Sequence, residues 1–160
     1  MSLEQDFKSA LSRWASGVSV VTTRDQGLCY GLTVSSFSSL SLDPPLVLVC
    51  IDNRNRLTSM VESSGTFCVS ILERQQEEAS NYFASRGREP VEEITAVPCS
   101  LLDDGVPAVG GALAHLSCDL HEAVAGGDHT ILIGRVKRIS VGEGVPLLYY
   151  ARAYRGLTGL

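Results

Sequence analysis

The segment that most constrains the fold is residues 31–50, which read GLTVSSFSSLSLDPPLVLVC. Residues 32–35 alternate apolar and hydroxyl side chains, which predicts a strand with one apolar and one polar face. Residues 46–51 are six consecutive apolar residues, a length that fits a strand buried on both faces. We therefore expect two strands that enclose a serine-rich connection, with the second strand in the core.

This connection, residues 36–39, in which three of the four side chains are hydroxyls, forms together with the preceding Ser35 what we call the hydroxyl arch. Asp43-Pro44-Pro45 interrupts the chain after it, since proline lacks an N–H and favours extended geometry in the residue before it. Serines in loops most often satisfy nearby backbone groups. An arch with many neutral hydrogen-bonding groups and almost no charge also suits a polar, partly aromatic ligand that carries a phosphate.

The N-terminal residues predict an amphipathic helix over residues 2–14. Ser2 and Gln5 have the spacing of a capping box, and Gly17 suits the end of the helix. One stripe of the helix is apolar, which predicts that Trp14 lies in the core rather than in a ligand site. The residues of this stripe are Leu3, Phe7, Ala10, Leu11 and Trp14.

Two further helices and five further strands follow from the pattern of apolar residues. Asn55 or Asn53 is the expected cap of a helix over residues 57–63 that Gly65 ends. Ala79, Tyr82 and Phe83 are expected to point inward from a helix over residues 75–85. The predicted strands cover residues 18–23, 66–72, 115–124, 130–141 (with a bulge at Gly134) and 147–151.

Residues 86–111 show no clear periodicity. A featureless loop of this length is uncommon in a compact domain, so we expect it to be functional or to contain short elements. Residues 92–96 and 106–109 are the candidates for such elements. With six or seven strands and few helices, the pattern predicts a mainly β fold, a closed and mostly antiparallel barrel.

The chain length and the net charge limit the domain organisation and the kinds of function that we expect. At 160 residues the chain predicts a single domain, residues 1–160, large enough to bury a core. The net charge of −5, with no basic cluster longer than residues 54–56, argues against nucleic-acid binding. The sequence has no secretory signal pattern and no apolar run near the roughly 20 residues of a spanning helix, so we expect a cytoplasmic protein that does not bind membranes.

Metal and Rossmann sites are not indicated. The five cysteines include no C-x-x-C pair and fit buried thiols in a reducing compartment. His115 and His121 share a strand face but are separated by roughly 20 Å, too far to share a zinc ion. The Gly142-Glu143-Gly144 run lacks the third glycine and the strand–helix context of a Rossmann fingerprint.

Three stretches together resemble the flavin reductase family, the short reductase components of two-component flavin monooxygenases. They are residues 31–50, Gly127-Asp128-His129 and residues 149–155 (YYARAYR), and they occur in the family's order. The resemblance extends from about residue 7 to residue 157. It implies a split β-barrel of the FMN-binding type with a few flanking helices, assembled as a homodimer with the flavin near the subunit boundary.

The resemblance also implies a flavin site. The helix that follows the buried strand offers backbone N–H groups, the Thr58 hydroxyl and the Arg56 guanidinium to a phosphate. Arg54 is interpreted as an ordinary surface charge. The residues expected to bind the flavin are Thr33, Val34, Ser35, Ser36, Ser38, Ser39, Cys50, Ile51, Asn55, Arg56, Leu57 and Thr58.

For the nicotinamide, the resemblance implies His129, Tyr154 and Arg155. His129 is the catalytic candidate, orienting the nicotinamide rather than abstracting a proton, because hydride transfer needs stacked rings at close range. The alternative is that His129 is only a turn residue. The sequence departs from the family at Ala153, where a glycine is expected, and at residues 88–91, which replace a Lys-Phe pair, so no site is transferred to that loop.

The implied function is an NAD(P)H:flavin oxidoreductase that supplies reduced FMN, or FAD, to a partner monooxygenase. NADH is favoured over NADPH by family habit alone. The alternatives are a non-catalytic FMN-binding electron carrier and a flavin oxidase or oxygenase on the same barrel. The Gly127-Asp128-His129 motif with Tyr154 favours the reductase, since a carrier needs no platform for nicotinamide.

Overall fold

Strands dominate the architecture. The computed structural model describes residues 2–158, in which three helices accompany twelve strands. The helices are α1 (Leu3–Leu11), α2 (Arg56–Ser64) and α3 (Glu77–Ala84), and the strands are β1 (Ser16–Gly17), β2 (Ser19–Asp25), β3 (Leu28–Val34), β4 (Ser38–Leu42), β5 (Pro45–Asp52), β6 (Thr66–Ile71), β7 (Cys99–Leu101), β8 (Pro107–Val109), β9 (Ala114–Gly126), β10 (His129–Val141), β11 (Leu148–Tyr150) and β12 (Ala153–Arg155).

The main sheet has seven strands in the order β3-β2-β6-β9-β10-β5-β4, and all its pairs are antiparallel. Two small sheets, β1-β11-β12 and β7-β8, lie beside it. Residues 35–37 connect the two edge strands β3 and β4, and within residues 2–158 no ladder pairs those edges directly. The prediction of a mainly β fold with few helices is therefore confirmed.

The predicted core strand is β5, and only one of its faces is fully buried. Val47, Val49 and Ile51 point into the main core cluster together with Leu57 of α2. The alternate side chains at positions 46, 48 and 50 are half-buried. The expectation of a strand buried on both faces is thus wrong, because an uninterrupted apolar run does not specify whether a second layer of the same chain covers its outer face.

Helix α1 begins as predicted but ends at Leu11, before Trp14 and the expected stop at Gly17, and it packs differently. The Ser2 Oγ accepts a hydrogen bond from the Gln5 N–H at 3.3 Å, and the Gln5 Oε1 accepts one from the Ser2 N–H at 2.9 Å, which completes the capping box. No residue of α1 is buried; Phe7 is 60% and Trp14 76% exposed. The prediction that Trp14 lies in the core is wrong, because helical spacing identifies an apolar face without identifying what covers it.

Three other local signals are confirmed. The Asn55 side chain caps α2, and Gly65 ends it with a φ of 72°. The register between β9 and β10 shifts at Ile133/Gly134, where a bulge was expected. A Cβ at Gly134 would collide with the Phe67 ring of β6, so glycine leaves the space that this ring occupies against β10.

Residues 86–111 do contain short elements. The prediction at residues 106–109 is confirmed by β8, whereas residues 92–96 form no regular element, so that prediction is wrong. Ile94 and Val97 are buried and help to anchor this segment by packing in the second core cluster. The predicted last strand, residues 147–151, corresponds to β11, and the chain then turns at Ala151 and Arg152, both at positive φ, into β12, which was not predicted.

The five cysteines are free, and three of them are buried. Burial raises the pKa of Cys68 and of Cys118 to about 12, which keeps both thiols neutral and suits small apolar side chains. Cys50, expected to be buried, is only half-buried because it lies on the outer face of β5. None of the helices within residues 2–158 is long and apolar enough to cross a membrane.

Candidate functional site

The hydroxyl arch is a short turn that continues into β4, and one serine attaches it to β5. The Ser36 Oγ accepts a hydrogen bond from the Cys50 N–H at 3.1 Å and donates one to the Cys50 carbonyl at 3.0 Å. The donor and one of the two acceptor positions of this hydroxyl are therefore used by the backbone of β5. Ser36 shapes the site rather than offering its side chain to a ligand, which matches the usual role of serine in loops.

Of the other hydroxyls in this segment, two are hydrogen-bonded within the chain and two are available to a ligand. The Thr33 Oγ1 donates to the Ser80 carbonyl at 2.6 Å, and the Ser38 Oγ donates to the Ser39 carbonyl at 3.0 Å. The side chains of Ser35 and Ser39 are exposed and have no hydrogen bond within residues 2–158. Ser35 lines two clefts, so it is the arch hydroxyl best placed to meet a ligand.

Three predicted flavin-binding residues have buried apolar side chains. Val34, Ile51 and Leu57 belong to the main core cluster. Only their backbone groups can face a bound molecule. Cys50 likewise uses its backbone for Ser36, and its half-buried thiol lies on the outer face of β5.

The start of α2 contains a capping side chain and, within the described chain, a hydroxyl without a hydrogen-bond partner. The Asn55 Oδ1 accepts from the Leu57 N–H at 2.9 Å, so Asn55 serves as the cap. The Thr58 side chain is only 9% exposed, and within the described chain its hydroxyl has no hydrogen-bond partner. A buried hydroxyl without a partner is costly, and a ligand that hydrogen-bonds to it would remove that cost.

Arg54 is held by its own turn. Its Nε and Nη2 donate to the Asp52 carboxylate at 3.0 and 2.6 Å. These hydrogen bonds, with the positive charge of Arg54, lower the pKa of Asp52 well below its usual range. Arg54 is therefore engaged with Asp52, which supports its exclusion from the predicted ligand set.

Arg56 has a partner that the sequence did not suggest. Its Nη1 and Nη2 contact the two carboxylate oxygens of Glu89 at 2.5 and 3.1 Å. The pair lies at a cavity of about 440 Å³ whose lining is rich in arginine. The lining residues are Tyr30, Asp52, Arg54, Asn55, Arg56, Arg86, Gly87, Arg88 and Glu89.

Arg88 fixes the loop that carries Glu89. Its Nη2 donates to the carbonyls of Gly31 and Phe83 at 2.6 and 2.8 Å. Its guanidinium also lies 5.1 Å from the ring centroids of Tyr30 and Tyr82, within the range of cation–π contacts. Sequence reasoning missed this residue; the signal was the replacement of the family's Lys-Phe pair at residues 88–91.

The Gly127-Asp128-His129 turn lies beside the start of α2. His129 is opposite Asp52 in the β5–β10 ladder, and the Asn53 N–H donates to the Asp128 carbonyl at 2.9 Å. The Thr130 Oγ1 donates to the Asn53 Oδ1 at 2.8 Å, which links the two turns by side chains as well. The structure thus brings together two motifs that are more than 70 residues apart in sequence.

The imidazole of His129 is oriented by its neighbour. Its Nδ1 is 2.7 Å from the Asp128 Oδ1, and its side chain is 43% exposed. The hydrogen bond and the charge of His129 lower the pKa of Asp128. The Nε2 of His129 has no partner within the described part of the chain, so it is the nitrogen that can face a ligand. This arrangement fits a residue that orients a substrate.

Tyr154 lies in a different cleft. Its hydroxyl is 2.7 Å from the Ser80 Oγ and 3.0 Å from the Asn81 Oδ1. It shares a cleft of about 170 Å³ with Thr33 and Ser35, whereas His129 adjoins Asp52 and Asn53. Tyr154 therefore meets the arch side of the site. Arg155 is exposed on β12.

Comparison with known proteins gives one consistent family. The family model for the flavin reductase like domain matches residues 11–158. The reductase component of 4-hydroxyphenylacetate 3-monooxygenase from Thermus thermophilus is 42% identical over 156 residues, which are 97% of each chain. An NADH-dependent flavin reductase from Rhodococcus is 40% identical over 94% of this chain and 85% of that protein.

Solved structures agree with these relatives. The NADH:FAD oxidoreductase SgcE6 of Streptomyces globisporus superposes with a TM-score of 0.90 at 32% identity, over 99% of this chain and 95% of that one. The flavin reductase PheA2 superposes with a TM-score of 0.88 at 35% identity, over 99% and 100% of the two chains. The segments that match include the arch, the start of α2 and the β9–β10 turn.

Proposed function

Because this chain belongs to the family with a flavin reductase like domain, we infer that it is an enzyme that transfers a hydride from NADH to a flavin. The single observation that carries this inference is the family match over residues 11–158, which includes every predicted site segment. Relatives named as reductase components of monooxygenases support a second statement. The reduced flavin is delivered to a partner monooxygenase that uses it to activate oxygen.

The test of this function is a spectrophotometric assay. Protein, NADH and free FMN or FAD are mixed, and the absorbance of NADH is followed with each component omitted in turn. We expect loss of NADH that requires both flavin and protein. A non-catalytic flavin carrier predicts no such loss, and an oxygenase predicts turnover only with a further substrate.

The residues present fit a flavin with a phosphate. We propose that the phosphate lies at the start of α2, where the buried Thr58 hydroxyl lacks a partner and Arg56 opens the helix. Ser35 and Ser39, whose hydroxyls are free of other described contacts, would hydrogen-bond to the polar edge of the ring system. The bound flavin supplies the ring that accepts the hydride. FMN and FAD both carry the phosphate that this arrangement would hold.

The role proposed for His129 is to orient the nicotinamide. The Asp128 carboxylate fixes the imidazole through its Nδ1, so that Nε2 faces outward with a defined direction. Hydride transfer requires close and well-aligned rings rather than a strong acid or base. Tyr154 and Arg155 would contribute from the other side of the site, next to the arch.

We also propose that the main sheet closes into a split barrel, which the direct connection of its edge strands β3 and β4 by residues 35–37 supports. A cytoplasmic location is proposed as well. The five free cysteines support it, because disulfides are rare in a reducing compartment.

Substitution of the free arch serines provides a prediction. Ser35→Val and Ser39→Val are each expected to weaken flavin affinity by about 0.5–1.5 kcal/mol, the contribution of one hydrogen bond, without unfolding the protein. Flavin titration followed by fluorescence measures this effect. Ser100→Val, on the exposed face of the separate strand β7, is the matched control and should bind flavin like the wild type. Wild-type affinity in both arch variants would contradict the assignment.

A homodimer is proposed to cover the exposed apolar stripe of α1. Trp14 adjoins a cleft of about 360 Å³ that Phe37 and Ile71 also line, so the apolar surface continues from α1 towards the arch. An exposed and contiguous apolar surface of this kind is typical of interaction sites. A second copy of the chain is the occupant that fits a flavin site near the subunit boundary.

The assembly leads to a second prediction. In sedimentation analysis the wild type should have twice the mass of the 17.1 kDa chain. Phe7→Glu places a charge in the proposed interface and should shift the protein to monomer, because an unpaired buried charge is costly. Lys8→Glu, on the same helix beside Glu4, is the control and should leave the dimer intact. A monomeric wild type would exclude the proposal.

A further inference from the structure

In this structure the Arg56 guanidinium, which the proposed function assigns to the flavin phosphate, forms an ion pair with Glu89. Two carboxylate oxygens meet two guanidinium nitrogens at 2.5 and 3.1 Å, the bidentate geometry that arginine also forms with phosphate. Glu89 comes from a loop 33 residues further along the chain, so the contact is not a local helix pair. A carboxylate of the protein and the phosphate of a ligand cannot both form bidentate hydrogen bonds with the same two guanidinium nitrogens at once.

The backbone beside Glu89 is fixed while its side chain is not. Arg88 is attached to the carbonyls of Gly31 and Phe83 and packs against aromatic rings. The Glu89 side chain is 70% exposed, so it can swing into solvent without moving the loop. Glu89 is thereby kept close to Arg56 even when the ion pair opens.

Arg56 is also the arginine at which competition between a carboxylate and a phosphate would affect flavin binding. In the same cavity Arg54 is clamped by Asp52, and Arg88 is turned towards backbone carbonyls. Arg56, at the first position of α2, lies two residues from the unpaired Thr58 hydroxyl. The Arg56 guanidinium is therefore the cationic group nearest in sequence to Thr58, where the phosphate is proposed to bind.

On the basis of the proposed function, we propose that Glu89 is an internal competitor for Arg56 that lowers the affinity for the flavin phosphate and speeds the release of reduced flavin. The incoming phosphate must break an ion pair, and the displaced carboxylate stays nearby and repels it. When the flavin leaves, Glu89 pairs with Arg56 again. A reductase that must hand its product to another enzyme gains from this moderate affinity. Glu89 is thus a specificity-determining residue and not a catalytic one.

The test compares Glu89→Gln with the wild type, using FMN and riboflavin, which lacks the phosphate. We expect the variant to bind FMN about fivefold more tightly, the upper range for one exposed ion pair, with a correspondingly slower FMN dissociation rate. Riboflavin affinity should not change. Glu93→Gln, an exposed residue of the same loop that lines a different cavity, is the control for net charge and should match the wild type.

A second comparison keeps the result interpretable. In an Arg56→Ala background the gain from Glu89→Gln should shrink, because the ion pair is already absent. FMN affinity equal to or weaker than wild type in Glu89→Gln, or equal gains for FMN and riboflavin, would overturn the proposal. Failure of the proposed function is distinct, since it would appear as a wild type that does not oxidise NADH in the presence of flavin.

Discussion

Replacing His129 with asparagine is expected to slow the reduction of bound flavin by NADH about a hundredfold, because misplacement by about 1 Å in such a site can cost two orders of magnitude. The imidazole is held at 2.7 Å from the Asp128 carboxylate, which leaves Nε2 directed away from the turn. Asparagine fits turns well but is too short to keep the Asp128 contact and present a donor at the Nε2 position. Flavin affinity should stay unchanged.

Stopped-flow reduction with flavin already bound measures this step directly and separates it from flavin binding. The matched control is His121→Asn, an exposed histidine on the neighbouring strand β9, which should react like the wild type. If His129 only shapes the turn, the variant will differ from the wild type in stability alone. A wild-type reduction rate together with wild-type NADH affinity would contradict its proposed role.

Helix ends and turns were predictable because their signals are local. The Ser2–Gln5 capping box and the Asn55 cap each need only residues within a few positions of one another. Gly65 and the bulge beside Gly134 follow from the conformational freedom of glycine and the absence of its Cβ. Alternation of apolar residues predicted most of the main sheet for the same reason, since the period of two is visible in a short window.

Burial against distant or external partners was not predictable. The apolar stripe predicted over residues 3–14 has helical spacing, yet Phe7 and Trp14 are exposed in the single chain. The run at residues 46–51 is apolar throughout, yet one face of β5 is half-buried. In both cases the pattern records that a surface is apolar, and the same pattern arises whether the cover is the chain's own core or a second copy.

In the candidate site, too, the local features were predictable and the contacts between distant residues were not. The sequence identified Arg56 and Thr58 at a helix start, and the structure finds both there. It did not identify Glu89 as the partner of Arg56, because this partner comes from a loop without periodicity. Nor did it show that the β9–β10 turn adjoins α2, since that contact depends on the register of β10 against β5.

Arg56→Ala is expected to weaken FMN binding about tenfold to a hundredfold, because a hydrogen bond to a charged group contributes about 1.5–3 kcal/mol. Riboflavin binding should change little, since it has no phosphate for Arg56 to contact. The fold should tolerate the change, because both side chains of the Arg56–Glu89 pair are substantially exposed and exposed pairs contribute little to stability. The ratio of FMN to riboflavin affinity, from parallel titrations, is the informative quantity.

Arg54→Ala is the matched control, because it removes the same charge two residues earlier from an arginine that is clamped by Asp52. It should alter the FMN to riboflavin ratio far less than Arg56→Ala does. If Arg56→Ala instead weakens both flavins equally, Arg56 acts by holding Glu89 and its loop in place rather than by binding phosphate. The phosphate site would then have to be sought at Arg86, which lines the same cavity.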